Sequence, residues 1–296
     1  MKRKTSTLIV MVCFIFCFNY FAQASTVEAR NLLITKFEKV YLQLAPGDTA
    51  RTSVALRLAD LLAERARTDA MEELNRGCVN CTAGMKDRIR AVDLYEEALP
   101  KVKKTQRGKI LAQLGHLLEL TNKEKEAQEL YQKIINEESD AEFVAEAKIS
   151  LAEMSFKNRN YQQALKYYSQ VLDIQESKRK SLAAYKQAWC LFNLGKTQES
   201  IDKLVVILKT PSLLTKISEG VVSVDPHYKA EVAKDLSTFV AKKGASLEDI
   251  KMVYELSPDS SRITNVSYLA NELERLGQTS LAISAYDFVL QKEEDP

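Results

Sequence analysis

The chain has 296 residues, 46% of them apolar and 28% charged, with only 9 Gly and 6 Pro and a formal net charge of +2. So few turn formers beside abundant Ala, Leu, Glu and Lys set aside fibrous, low-complexity and strand-rich classes and favour an all-α chain. The near-neutral balance leaves sequence-independent nucleic-acid binding without an electrostatic engine, and the basic clusters at Lys101–Lys104 and Lys178–Lys180 read as solvated turns between helices.

Residues 1–24 differ from the rest. Met1-Lys2-Arg3-Lys4 is basic, Leu8 to Phe18 is apolar, and Ala22-Gln23-Ala24 is a small-x-small site before Ser25, the pattern of a secretory signal peptide. The apolar run falls short of the roughly 20 residues a membrane span needs, so an uncleaved anchor is the weaker alternative. Val12 and Phe16, which precede Cys13 and Cys17, are too large for lipoprotein processing. Cleavage would remove Lys2, Arg3 and Lys4 and no acid, taking the net charge from +2 to −1. The expectation is an exported chain, periplasmic or associated with an outer membrane. Residues 25–50 are expected to form an N-terminal helix.

From residue 51 to 208 the chain repeats itself. The clearest copy runs Ala145 to Phe156, a turn at Asn158-Arg159-Asn160, then Tyr161 to Leu172, which reads as helix, turn, helix. In its second helix Ala164, Tyr168 and Val171 share one face of a 3.6-residue helix. The same stripe recurs at Ala91-Tyr95-Ala98, Ala127-Tyr131-Ile134, Ser200-Leu204-Ile207 and Ala282-Tyr286-Val289, the first four copies lying 36, 37 and 36 residues apart. First helices are marked by Leu58-Ala59, Leu114-Gly115, Ala152, Gln187-Ala188 and Leu269-Ala270.

On these residues the chain resembles the tetratricopeptide repeat family. The resemblance implies a right-handed superhelical solenoid of five or six hairpins, each too small to fold alone and stabilised by its neighbours. It further implies a concave wall of first helices that receives an extended or helical peptide. The inner faces would then carry His116, Glu119, Glu153, Phe156, Lys157, Tyr185, Trp189, Phe192 and Asn193. Trp189 is the expected anchor, while Phe156 and Phe192 are equally well read as packing between hairpins. The Lys, Asn and Arg clamp with which some relatives grip acidic tails is absent.

Three stretches depart from the repeat. About twenty extra residues, 64–86, separate Leu58-Ala59 from its partner helix. An irregular linker is expected over 209–228, and residues 229–296 are expected to hold a degenerate hairpin, near Tyr228–Lys242 and Leu247–Leu256, and a C-terminal one.

Cys78 and Cys81 form a C-x-x-C inside the insert. In an exported chain this reads as a loop-closing disulfide. A redox dithiol lacks its βαβ context, and a closed zinc site wants four N or S ligands, whereas Cys190, His116 and His227 lie on separate repeats. Cys190 beside Trp189 reads as a small buried hydrophobe. The two histidines sit in no H-E-x-x-H or nucleophile-elbow pattern. The reading is therefore a scaffold without catalytic residues, metal or cofactor. It holds a protein partner of the bacterial envelope in its groove, loosely similar to the tetratricopeptide proteins of gliding, secretion and assembly machines, and meets the membrane only through partners. An exported enzyme or redox subunit working through Cys78 and Cys81 is the alternative. Self-association through the apolar last helix, which carries Leu281, Ile283, Tyr286, Val289 and Leu290, is a third reading.

Overall fold

A computed structural model of the chain describes residues 27–294 apart from 80, 139, 176, 219 and 220, so the expected leader at 1–24 lies outside the described residues. These residues form two compact units, one ending at Ile134 and the other beginning at Ile135.

The first unit opens with α1, residues 27–43. It continues through α2 (Thr49–Asn75), α3 (Met85–Ala98), a 3-10 turn at Leu99–Lys101, α4 (Lys104–Leu120) and the greater part of α5 (Glu124–Glu137). Asp48 starts α2 by accepting the Ala50 N–H at 2.8 Å. Arg51 then ties α1 down. Its guanidinium lies 4.0 Å from the centre of the Tyr41 ring, donates to the Tyr41 and Leu44 carbonyls at the end of α1 at 3.1 and 2.6 Å, and reaches Glu97 on α3 at 2.7 Å. Tyr41 is itself buried and gives its hydroxyl proton to the same Glu97.

The second unit holds α6 (Ala141–Lys157), α7 (Tyr161–Leu172), α8 (Lys180–Asn193), α9 (Thr197–Lys209), α10 (Pro226–Lys243), α11 (Leu247–Leu256), α12 (Arg262–Arg275) and α13 (Thr279–Glu294). Between α9 and α10 the segment expected to be an irregular linker contains a small antiparallel hairpin, β1 (Thr215–Ser218) against β2 (Val221–Val224), in register from Thr215↔Val224 to Ser218↔Val221. Its base is closed by the Asp225 N–H on the Leu214 carbonyl at 2.7 Å. Asp225 then caps α10, whose first residue, Pro226, has no N–H to satisfy. The degenerate hairpin is α10 with α11, and α11 starts with a Ser246/Asp249 capping box.

One set of offsets governs four hairpins. Counting from a small residue in the first helix, Gly115, Ala152, Ala188 or Ala270, the seventh residue on turns the chain in the left-handed region: Asn122 at φ 61°, Arg159 at 58°, Gly195 at 77° and Gly277 at 75°. The next N–H bonds back to a carbonyl of the first helix, Lys123 to Leu118, Asn160 to Ser155, Lys196 to Leu191 and Gln278 to Leu273, all at 2.8 or 2.9 Å. This is the Schellman closure that satisfies a helix end. The twelfth residue on is small and buried, Ala127, Ala164, Ser200 or Ala282, and the sixteenth is Tyr131, Tyr168, Leu204 or Tyr286.

Size explains the pairing of small residue and tyrosine. A Cβ on Gly115 would lie 2.5 Å from Cε1 of Tyr131, so the ring occupies the space a side chain would need. Burying a ring also buries its hydroxyl, which must then find an acceptor. Tyr131 donates to Glu119, Tyr168 to Glu153 at 2.6 Å, Tyr286 to Asn271 at 2.5 Å and Tyr95 to Asp60 at 2.5 Å. Each acceptor stands on the first helix of the same hairpin.

The α2–α3 hairpin obeys the rule once its insertion is removed. Ala59 and Ala91 are 32 residues apart where the others show 12, and the seventh residue after Ala59 is Ala66. There α2 does not turn but runs on to Asn75, so the insert is largely helix. The chain returns at Gly84, φ 76°, whose Cβ would sit 2.5 Å from the Ala66 Cα. The excursion thus leaves and rejoins the hairpin at one point, and only glycine fits the re-entry.

Substitutions at these positions should act in opposite directions. Gly115→Ala should destabilise the first unit by about 1–3 kcal/mol through overpacking against Tyr131, and Arg159→Gly should stabilise the second by about 1 kcal/mol by relieving a left-handed non-glycine residue. Chemical denaturation followed by circular dichroism checks both.

Candidate partner-binding groove

The excursion of α2 builds the wall of a groove in the first unit. Asp60, Ala63, Glu64, Arg67, Ala70, Met71 and Leu74 recur at three- and four-residue steps and form one stripe of α2. Gln113, His116, Leu117 and Leu120 face it from α4, with Arg88 and Tyr95 of α3 between them and Cys81 at the loop. Together these enclose a cleft of about 650 Å³. That is the size of a small-ligand or peptide side-chain pocket.

Its lining is amphipathic. Met71 and Leu74 are 53% and 56% exposed on the α2 extension, and Leu120 is also exposed on α4. Beneath them Tyr95 is sealed in, its hydroxyl between Asp60 at 2.5 Å and the Gln113 side chain at 3.0 Å. Burial first, then the hydrogen bond to Asp60 and its charge, push the Tyr95 phenol far above the usual tyrosine range, so it remains a donor at any working pH. Glu64 has a cation 3.9 Å away, Arg30 of α1. Arg88 does not have the corresponding anion. It is only 9% exposed, it lines the groove, and among the described residues its guanidinium makes no ion pair or hydrogen bond.

The residues expected to bind a partner are distributed over both units. His116 is exposed and lies in this groove. In the second unit Glu153 accepts the Tyr168 hydroxyl and pairs with Lys186 at 3.2 Å. Phe156 meets Tyr161 edge-on at 5.2 Å, with the Lys186 ammonium 5.4 Å from its ring. Lys157 and Asn193 are exposed, and Asn193 donates to the Trp189 carbonyl at 2.8 Å. Tyr185, Trp189 and Phe192 pack onto α10: Phe192 stacks on the buried Phe239 at 4.1 Å, and Trp189 meets that ring edge-on at 5.0 Å.

Asp235 of α10 accepts both the Tyr185 hydroxyl, at 2.5 Å, and the Trp189 indole N–H, at 2.9 Å. These contacts make the three aromatics a joint between α8 and α10. Cys190 is buried and its thiol is pushed up to about 12, by burial first and then by the Glu153 charge, which keeps it inert. Cys78 and Cys81, expected as a disulfide, are not bonded to each other in this structure, and Cys81 donates to the Cys78 carbonyl at 3.4 Å. Arg88, Met71 and Leu74 were not among the expected site residues: Met71 and Leu74 lie in the insert, to which no helix was assigned, and Arg88 follows it on α3. The three- and four-residue stripe running on from Asp60 to Leu74 is the signal that marks the insert as helix.

No family model matches the sequence, and no curated protein matches it. Among solved structures the chain is similar to YrrB, a tetratricopeptide protein with an unusual peptide-binding site, at 16% identity over 76% of this chain and 94% of that one, TM-score 0.42. BtubC from P. vanneervenii covers 91% of both chains at 16% identity, TM-score 0.46. The apo quorum sensor NprR from B. thuringiensis matches at 16% identity over 92% of this chain and 84% of that one, TM-score 0.44. The hairpins themselves show the fold: the described residues form tetratricopeptide-like helical hairpins. No helix among the described residues is long and apolar enough to cross a membrane.

Trp189 is the sole tryptophan, so its emission reports on the α8–α10 joint. Trp189→Ala should cost about 3–5 kcal/mol of stability, as large core truncations do. Burial raises the Asp235 carboxyl above the usual aspartate range, and the Tyr185 and Trp189 hydrogen bonds only partly offset it. The folded protein therefore takes up this proton more readily than the unfolded chain, and the cost of burying the charge is relieved as pH falls through the raised value. A pH titration of Trp189 emission should show a midpoint above the ordinary aspartate range that disappears in Asp235→Asn.

Proposed function

We propose that this chain is a non-catalytic docking protein of the bacterial envelope and that the α2–α4 groove receives a segment of a partner protein. The observation that carries the reading is Arg88: a residue only 9% exposed, lining an amphipathic cleft, with no ion pair or hydrogen bond among the described residues. A buried cation of this kind is costly unless something completes it. A segment that lays one or two apolar side chains against Met71, Leu74 and Leu120 and places a carboxylate on Arg88 would do so, since guanidinium and carboxylate pair in bidentate geometry. Export rests on the leader pattern of residues 1–24. An envelope assembly, secretion or motility complex is the setting proposed for the partner.

A second reading, self-association, is favoured by Ile283 and Leu290, exposed one above the other on α13. Light scattering over a concentration series decides it, and a strict monomer removes it.

The groove is tested by opposing readouts from one substitution. Arg88→Met should raise the thermal stability of the isolated protein, because an unpaired buried charge is replaced by an apolar chain of similar length. The same variant should bind the partner captured by the wild type from its native envelope at least about 30-fold more weakly, the effect of removing one half of a buried charge pair. Leu74→Glu should abolish capture with helical content unchanged. Capture by both variants at wild-type levels would move the working surface elsewhere.

A further inference from the structure

The loop that closes the α2 excursion gathers three groups of one chemical kind, all metal donors. Gly77, φ 83°, reverses the chain at the end of α2, and the Cys78 N–H bonds back to the Glu73 carbonyl at 3.3 Å. The Glu73 carboxylate is turned into the loop, where its Oε2 accepts the Ala83 N–H at 2.7 Å. As a result a Glu73 carboxylate oxygen, Cys78 Sγ and Cys81 Sγ all lie within 4.8 Å of one another, each half-buried. Zinc bonds to sulfur at about 2.3 Å and to carboxylate oxygen at about 2.0–2.2 Å, which sets donors in a tetrahedral site a little under 4 Å apart. The three donors, within 4.8 Å of one another, lie close to that spacing.

We infer that Glu73, Cys78 and Cys81 form a binding site for a zinc-class divalent cation. Two thiolates select a soft or borderline metal over magnesium or calcium. Three protein ligands leave a fourth position for water or another ligand, and one of the three, Cys81, also lines the groove. Binding releases the two thiol protons to solvent, so affinity falls as the pH is lowered. The loop reading in terms of a disulfide gives the oriented carboxylate of Glu73 no part, whereas a metal site uses all three groups. Counting only histidines and cysteines sets zinc aside in this sequence. The missing donor is a glutamate five residues before the first cysteine, delivered by the fold of the loop. The bound ion would staple the end of α2 to Cys78 and Cys81 and stiffen one wall of the groove. It does not depend on the partner, so failure here leaves the Arg88 test untouched.

The test uses the full chain, reduced and stripped of metal, titrated with Co²⁺ as a coloured stand-in for zinc. The expected result is one Co²⁺ per chain with a sulfur-to-metal charge-transfer absorption that Zn²⁺ displaces. Cys78→Ser and Cys81→Ser should each remove the band. Glu73→Gln should weaken binding by about 10-fold or more, the scale on which a metal site responds to its weaker supporting groups, and Cys190→Ala should change nothing. Circular dichroism of each variant shows whether it has folded, and Glu73→Gln decides the matter if a serine variant has not. Absence of the band in the reduced wild type, Glu73→Gln binding as tightly as wild type, or protein drawn from its native compartment carrying a Cys78–Cys81 disulfide and no metal would each overturn the inference.

Discussion

A tyrosine ring lying over a residue with little or no side chain is the contact on which each complete hairpin depends. At Gly115 the ring of Tyr131 fills the space a side chain would need, and Ala152 and Ala270 stand at the same offset from Tyr168 and Tyr286. Where the ring is buried, as in Tyr95, Tyr131 and Tyr168, its hydroxyl needs an acceptor, and one stands on the first helix; the half-buried Tyr286 has one there as well. Asp60, Glu119, Glu153 and Asn271 supply it. The core of each hairpin thereby dictates a polar residue on the first-helix wall. At the α8–α9 hairpin the ring is replaced by Leu204, no hydroxyl needs an acceptor, and the position that holds Asp60, Glu153 and Asn271 in three other hairpins holds Trp189, whose indole bonds to Asp235 of α10. One substitution in the stripe thus alters what the wall offers to its neighbour.

The α2–α3 hairpin shows how such a repeat acquires a site without losing its core. Leaving and rejoining at Ala66 and Gly84 costs the hairpin none of its internal contacts, since Ala91, Tyr95 and Ala98 are buried as their counterparts are. What it adds is three further turns of helix with Met71 and Leu74 turned outward, a loop bearing two thiols, and a floor on which Arg88 is enclosed. Repeat stability comes from neighbouring hairpins, so a decoration of this kind can be tuned for binding with little effect on the core.

Much of the fold was legible in the sequence, because the spacing of Ala164, Tyr168 and Val171 and its copies is a direct consequence of helical geometry. The α10–α11 pair was expected close to its observed bounds even though its stripe is degenerate. Two things were not. The β1–β2 hairpin is short and sits in a stretch whose breakers signal only a loss of helix, with nothing to favour a ladder over a bend. The α2 extension was hidden because the repeat period demands a turn at Ala66, and the helix overrides it. The site followed the same division. His116 was placed by register, and Trp189 was placed on the wall but meets its neighbour α10 there. Arg88 was not identified, since burial of a charged residue on a second helix depends on the helix opposite, and none was assigned there.

The central claim is that residues 66–85 are an excursion grafted on an intact hairpin. Deleting them, with Lys86→Gly to supply the left-handed turn residue seven positions after Ala59, restores the 12-residue offset to Ala91 seen in the other hairpins. Thermal unfolding of this shortened chain, followed by circular dichroism, is the direct measurement. The account predicts a cooperative transition with a midpoint within about 5 °C of the parent, the shift expected from roughly 1 kcal/mol, together with loss of partner capture. A broad, non-cooperative transition or loss of helix in the first unit would show that the excursion is part of the hairpin's own core, and would contradict it.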